Sequence, residues 1–279
     1  MSSERPSVAV KRRSFGRLHE SGCFVLPNPW DIGSARFLQQ LGFKALASTS
    51  AGFAWSQGAA DRTISLGSVL AHLQALVDAT DLPVNADFQD GFAAEPAGVA
   101  ENVRAALATG IAGLSIEDAT GDPAQPLYPL PSAIERIRAA RGAIDASGVE
   151  VMLVGRAECF VVGRPDLEET IARLRAYAEA GADCLYAPGL RTSDQIAQVA
   201  RAVAPTPLNV LWSTASELTV DELAALGVRR ISLGGAMARV AWGAFARTAR
   251  TIMEQGCLPG LAQAMPMPEL DRLFGAAPR

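Results

Sequence analysis

Along the chain, short apolar runs that end in polar residues alternate with longer stretches whose apolar positions recur every three or four residues. Eight short runs read as strands: 24–30 (FVLPNPW), 45–50 (ALASTS), 83–88 (PVNADF), 113–118 (GLSIED), 149–158 (VEVMLVGRAE), 184–189 (CLYAPG), 207–212 (PLNVLW) and 230–235 (RISLGG). Helical spacing fills the intervals, for example over 95–109, 131–146 and 166–180. Several helices meet a glycine stop, at Gly42, Gly110, Gly181 and Gly227, shortly before the next apolar run. Strand–helix alternation repeated eight times predicts a parallel sheet closed into a (β/α)8 TIM barrel. A doubly wound sheet fits less well, because no GxGxxG follows the first strand. The pattern places a flexible tail over 1–13, the barrel over 14–256, and a C-terminal helical extension over 257–279. That extension carries one short apolar helix near 268–274, to be packed on the barrel or on a second subunit.

Composition narrows the chemistry. A chain of 279 residues accommodates one such barrel. The formal net charge is −4 with no basic patch, which argues against nucleic acid as a partner. No apolar run approaches 18 residues, so no membrane span is expected. The basic start MSSERPSVAVKRR lacks the apolar core of a secretion signal. Four cysteines without a CxxC pair read as reduced thiols of a cytoplasmic protein. The chain has 2 histidines, and its only lysines are Lys11 and Lys44. A Ser-His-Asp triad, a multi-histidine metal site and a Schiff base are therefore disfavoured. Carboxylates, arginine, hydroxyls and a metal are left to carry any reaction.

In a barrel these groups should gather at the C-terminal ends of the strands. Polar residues do cluster there: Trp30-Asp31; Ser48-Thr49-Ser50 with Asp61 and Arg62 beyond; Asn85 and Asp87; Glu117-Asp118; Arg156-Ala157-Glu158; and Asn209. Plainer roles compete at each position. Asp31 suits a helix cap, the Ser48–Ser50 hydroxyls suit turns, Asp61 suits a surface loop, and Asp87 and Glu117 suit a structural ion pair with Arg156. Asn85 and Asp87, two residues apart, share one strand face. A buried carboxylate there needs a cation nearby. Asp and Glu oxygens with water suit Mg2+, which would stabilise an enolate next to a carboxylate. Arg156 can grip a carboxylate with its planar fork, and the Ser48–Ser50 amides and hydroxyls can hold another.

At these residues the chain resembles the isocitrate lyase / phosphoenolpyruvate mutase superfamily, over about residues 15–256. The resemblance rests on LPNPWDIGSARFLQQLGFKALASTSAGFAWSQGAADRT, PVNADFQDGF, GLSIEDATGD, VGRAE, YAEAGADCLYAPGL and LNVLW. It implies a (β/α)8 barrel, its eighth helix often exchanged between subunits, in homo-dimers or homo-tetramers. It also implies Mg2+ or Mn2+, enolpyruvate-like intermediates, and C–C or P–C bonds made or broken beside a carboxylate. By the same resemblance, Ser48 and Thr49 match the substrate-carboxylate loop. Asp61 matches an acidic residue reaching the metal through water, and Asp87 and Glu117 match residues around the metal. Arg156 and Asn209 match substrate-side residues, and Trp30 a pocket wall. Asn85 joins Asp87 and Glu117 at the metal by the same resemblance, standing where the first aspartate of an Asp-x-Asp pair is usually the direct metal ligand. The segment after strand four, ATGDPAQPLYPLP over 119–131, has no Cys, His or Lys. Ala187-Pro188 replaces a strand-six glutamate.

Three readings follow. The first is a Mg2+-assisted lyase or decarboxylase for a small 2-oxo or 2-hydroxy (di)carboxylic acid. In it Arg156 would stabilise the enolate, and Asp118, Asp122, Tyr128 or water would handle the proton. The second is a phosphonopyruvate hydrolase or phosphoenolpyruvate mutase type of enzyme. The third is a non-catalytic protein that binds 2-oxo acids.

Overall fold

The computed structural model describes residues 5–275. A helix α1 (Val8–Leu18) precedes the barrel. Then follow β1 (Phe24–Leu26), α2 (Ile32–Gln40), β2 (Leu46–Ala47), a short α3 (Ser50–Ser56), α4 (Leu66–Ala79), β3 (Val84–Asp87) and α5 (Pro96–Ala108). The second half runs β4 (Gly113–Glu117), α6 (Leu130–Ser147), β5 (Met152–Arg156), α7 (Leu167–Glu179), β6 (Cys184–Tyr186), α8 (Ser193–Val203), β7 (Leu208–Leu211), α9 (Val220–Ala225), β8 (Arg230–Ser232) and α10 (Ala236–Gln255). A 3-10 turn (Pro259–Gln263) and α11 (Met267–Gly275) end it.

All eight strands are parallel, in the order β1-β8-β7-β6-β5-β4-β3-β2. Between β1 and β2 the wall is closed by single bonds. The Ala47 amide donates to the Pro27 carbonyl at 3.0 Å, and Asn28 Nδ2 donates to the Ser48 carbonyl at 2.9 Å. The result is a (β/α)8 TIM barrel. The strands are shorter than the apolar runs, which also take in flanking loop residues, while Asp87, Glu117 and Arg156 are the last residues of β3, β4 and β5. Gly42, Gly110, Gly181 and Gly227 all take left-handed φ, between 83° and 102°, the conformation that ends a helix without a Cβ clash. Asp31 is a helix cap, its Oδ1 accepting from the Ser34 amide at 2.7 Å.

The expected flexible tail over 1–13 is corrected for its described part. Ser7 caps α1, and Lys11 and Arg12 are buried. Lys11 Nζ donates to the carbonyls of Val77 (3.0 Å) and Thr80 at the end of α4. Arg12 donates to the carbonyls of Leu107 and Ile111, each at 2.9 Å. Cations near helix C-termini satisfy orphan carbonyls and oppose the helix dipole. A basic run that looked solvated is therefore a clamp, and it sets Phe15, fully buried, into the barrel floor against Leu26, Ala45, Ala47 and Ala112. Gly113 makes room for this plug: a Cβ there would lie 2.7 Å from the Phe15 ring and 2.6 Å from Asn85 Oδ1.

At the other end of the chain, α11 lies on α2, with Gln40 Nε2 donating to the Leu273 carbonyl. Helix α10 is different. Only Ala238 of its residues is buried, while Val240, Trp242, Phe245 and Met253 are exposed. Among the described residues no helix is long and apolar enough to cross a membrane, and all four cysteines are free thiols.

Candidate active site

A cavity of about 440 Å³ opens at the C-terminal ends of the strands. Its centre is Arg156, the last residue of β5. Arg156 Nη1 lies 3.0 Å from Glu117 Oε2 and 3.4 Å from Asp87 Oδ1, while Nε donates to Glu158 Oε1. The guanidinium also sits 4.8 Å from the centre of the Tyr186 ring. Sheet register explains the convergence, since Glu117 is paired with Arg156 and Arg156 with Tyr186 across neighbouring strands.

Asp87 ends β3. Its amide donates to Ser48 Oγ at 2.8 Å, and its Oδ2 accepts from the Ser50 amide at 2.9 Å. Thr49 caps α3, its Oγ1 accepting from the Gly52 amide at 3.2 Å. The Ser48–Ser50 loop therefore holds the Asp87 carboxylate in place, and all three residues line the cavity.

Glu117 is buried, and its second oxygen, Oε1, accepts from Arg62 Nη1. Arg62 Nη2 also reaches the Ala119 carbonyl at 3.2 Å. Arg62 has φ 64°, a left-handed backbone that costs a residue with a Cβ about 1 kcal/mol. Burial is the main force pushing the Glu117 carboxyl up from its ordinary range. Glu158 and Asp87 add to it, and Arg156 and Arg62 oppose it. Burial raises Glu158 too, against the pull of Arg156. Burial alone would lower Arg156, but Glu158, Glu117 and Asp87 outweigh it and hold the guanidinium above its ordinary range.

Other expected residues lie at the floor or rim of the cavity, as Asn85 and Asp61 do, or outside it. Asn85 shares a face with Asp87 but sits about 7 Å lower, at two residues' rise. There its Oδ1 lies 3.5 Å from Arg230 Nη1, in a polar floor where Arg230 Nε donates to Asn209 Oδ1 at 2.9 Å. Asn209 is likewise a floor residue, under Ser232. Asp118, expected at the proton-transfer step, is outside the cavity. Its carboxylate accepts from the Glu158 amide, the Tyr177 hydroxyl and Arg173 at 2.8, 2.5 and 3.1 Å. Adjacent strand residues face opposite ways, so Glu117 takes the mouth and Asp118 the helix side. Tyr128 is also outside, its hydroxyl donating to Asp90 Oδ2 at 3.0 Å beneath Arg136. Trp30 packs on α3 at Gly52. Asp61 stands at the rim, exposed, with Oδ1 taken by the Arg62 amide at 2.9 Å. Asp122 does line the cavity, in a short lid closed by the Ala119–Leu127 bridge.

Glu158 stands among the strand-end polar residues without an assigned role and Arg230 does not stand among them, although period-two spacing marks both: Glu158 from Arg156, and Arg230 with Ser232. Arg62, in the sequence a loop neighbour of Asp61 and, with Arg164 and Arg191, a candidate second basic residue for a phosphonate, lines the cavity.

The donor chemistry suits a hard cation. The carboxylates are all oxygen donors, no cysteine or histidine among the described residues lines the cavity, and Asp61, Asp87, Glu117, Asp122 and Glu158 outnumber Arg62, Arg156 and Arg230. As placed, however, no group of three or more His, Cys, Asp or Glu among the described residues closes on one point. The arginine nitrogens lie between the carboxylates instead.

An eight-stranded parallel barrel with its polar constellation at the strand ends defines the class. The family follows: the model of the phosphoenolpyruvate phosphomutase family matches residues 15–253, and the chain belongs to that family, within the isocitrate lyase / phosphoenolpyruvate mutase superfamily. A crystal structure of a candidate lyase/mutase from Burkholderia cenocepacia J2315 is 46% identical, with a TM-score of 0.93, covering 96% of this chain and 97% of that one. The 2-methylisocitrate lyase of Escherichia coli K12 is 32% identical over 200 residues, 68% of this chain and 66% of the relative. An oxaloacetate decarboxylase of Pseudomonas putida GB-1 is 28% identical over 234 residues, 81% and 78% of the two chains.

Proposed function

We propose that this chain is a carbon–carbon lyase or decarboxylase that acts on a small 2-oxo or 2-hydroxy dicarboxylic acid through an enolate, assisted by Mg2+ (Mn2+ would serve by the same oxygen chemistry). The observation that carries the reading is the convergence of Asp87, Glu117 and Glu158 on Arg156 at the barrel mouth. Asp87 and Glu117 would hold the ion, with Asp61 behind water at the rim. When bound, the ion supplies positive charge to a developing enolate oxygen. Arg156 binds and orients the substrate carboxylate. The Ser48–Ser50 loop fixes Asp87, and the floor of Ser232, Asn209 and Arg230 sets the depth to which a ligand can enter. Of the expected proton carriers, Asp122 and water can reach the cavity. Decarboxylation suits this site because loss of CO2 needs no base to begin it. The relatives named as a lyase and a decarboxylase support this reaction type.

The chain is proposed to work in the cytoplasm as a homo-dimer or homo-tetramer, with the apolar face of α10 as the contact. One observation favours a second reading. Arg62 adds a second guanidinium beside Arg156, which a P–C bond enzyme of the phosphonopyruvate hydrolase or mutase type needs for its phosphonate. A panel of oxaloacetate, malates, methylisocitrate and phosphonopyruvate, each assayed with Mg2+ and with a chelator, separates the two. Metal-dependent turnover of a carboxylic acid supports the first reading. Turnover of phosphonopyruvate alone, followed by phosphorus NMR, supports the second.

A further inference from the structure

That reading assigns Arg62 no task in the lyase reaction. It is built in with some care. The loop after α3 adopts a left-handed backbone at Arg62, which turns the side chain inward and leaves the adjacent Asp61 carboxylate at the rim, bonded to the Arg62 amide. The guanidinium reaches Glu117 Oε1 and the Ala119 carbonyl. Across from it lies Gly121, with φ 80°, where a Cβ would stand only 3.1 Å from Arg62 Nε. Two loops are thus shaped around one guanidinium, which is nevertheless about one-third exposed on its solvent side.

What it does there follows from charge. Glu117 is enclosed, and its Oε2 is occupied by Arg156. Its other oxygen requires a positive partner. A guanidinium on a flexible stem meets that need, and so would a divalent ion; the two cannot share the oxygen, and they repel each other. We propose that Arg62 is a tethered counter-cation that occupies Glu117 in the metal-free protein, must swing out when the divalent ion enters, and thereby lowers the metal affinity of the site. This rests on the metal reading above. It adds that the chain carries its own competitor for the ion.

The test is Mn2+ binding to the full chain, with free ion followed by electron paramagnetic resonance, so that no turnover is needed. Arg62→Gln should bind Mn2+ at least tenfold more tightly than wild type. Arg104→Gln removes an equal charge from the exposed face of α5 and should stay within twofold. The sign separates competition from a structural role, because a loop that merely lost its shape would bind the ion more weakly. If wild type and Arg62→Gln bind equally, or the variant binds more weakly, the competitor is overturned and the metal reading stands. If neither binds Mn2+, both are overturned.

Discussion

Arg156 Nη1 stands 3.0 Å from Glu117 Oε2, and the two residues are direct register partners on β5 and β4. With Asp87 and Glu158 also on this guanidinium, Arg156 neutralises much of a site that would otherwise hold three enclosed carboxylates. Arg156→Ala should therefore destabilise the fold by about 3–5 kcal/mol near neutral pH, as removal of one partner from a buried ion pair does. Urea unfolding measures it. The loss should shrink in acid, where the carboxylates are neutral without a partner.

The barrel floor carries a separate pH dependence. His19 Nδ1 bonds the Phe15 carbonyl at 2.9 Å, and its Nε2 faces Arg230 Nη1 at 3.4 Å. Burial, helped by Arg230, lowers its pKa from 6.5 to about 3. Burial lowers His72, stacked on Phe53, to about 4. Between these values and 6.5 the unfolded chain binds more protons than the folded one, so stability falls as pH falls. The predicted loss sets in below pH 6.5 and grows toward pH 4. His19→Gln should lessen it, as read from thermal unfolding at a series of pH values; an unchanged pH slope in the variant would count against the neutral His19.

Asp118 offers a contrast with the mouth carboxylates. Its oxygens are filled by Tyr177, Arg173 and the Glu158 amide, on the helix side of β4. Asp118→Asn should lower stability by roughly 1–3 kcal/mol, the scale for a buried group left with an unsatisfied partner. Any fall in kcat should track misplacement of Glu158 rather than a shifted pH–rate profile.

Much of this architecture was legible in the sequence, for identifiable reasons. Apolar runs with polar ends marked the eight strands, and the residues at those ends, Asp87, Glu117 and Arg156, do form the mouth. Three kinds of residue misled. Lys11 and Arg12 looked like a solvated tail because nothing local shows that helix carbonyls from α4 and α5 await them. Asn85 and Asp87 share a face, but spacing along a strand also sets depth, so Asn85 lines the cavity at its floor and Asp87 at its mouth. Asp118 sits one residue from Glu117, and alternation turns it away. Arg62 could be named as a candidate basic residue but not placed, since its position depends on a left-handed backbone that its neighbours do not announce.

The uncovered face of α10 yields a prediction about assembly. Trp242 and Phe245 pack edge-to-face with each other, 5.7 Å between ring centres, while both remain exposed. Paired aromatics left in water mark a contact surface. Sedimentation should find wild type as a dimer or tetramer, and Trp242→Glu with Phe245→Glu should shift it toward monomer. A monomeric wild type would remove this contact.

The most direct test of the account is pyruvate release from oxaloacetate in the presence of Mg2+, comparing wild type with Asp87→Ala, its folding checked by circular dichroism. Wild type should exceed the spontaneous rate, and the variant should lose at least about 100-fold, the scale for removing one electrostatic contributor to a transition state. A folded variant that releases pyruvate as fast as wild type would contradict the assignment of the strand-end carboxylates to the reaction.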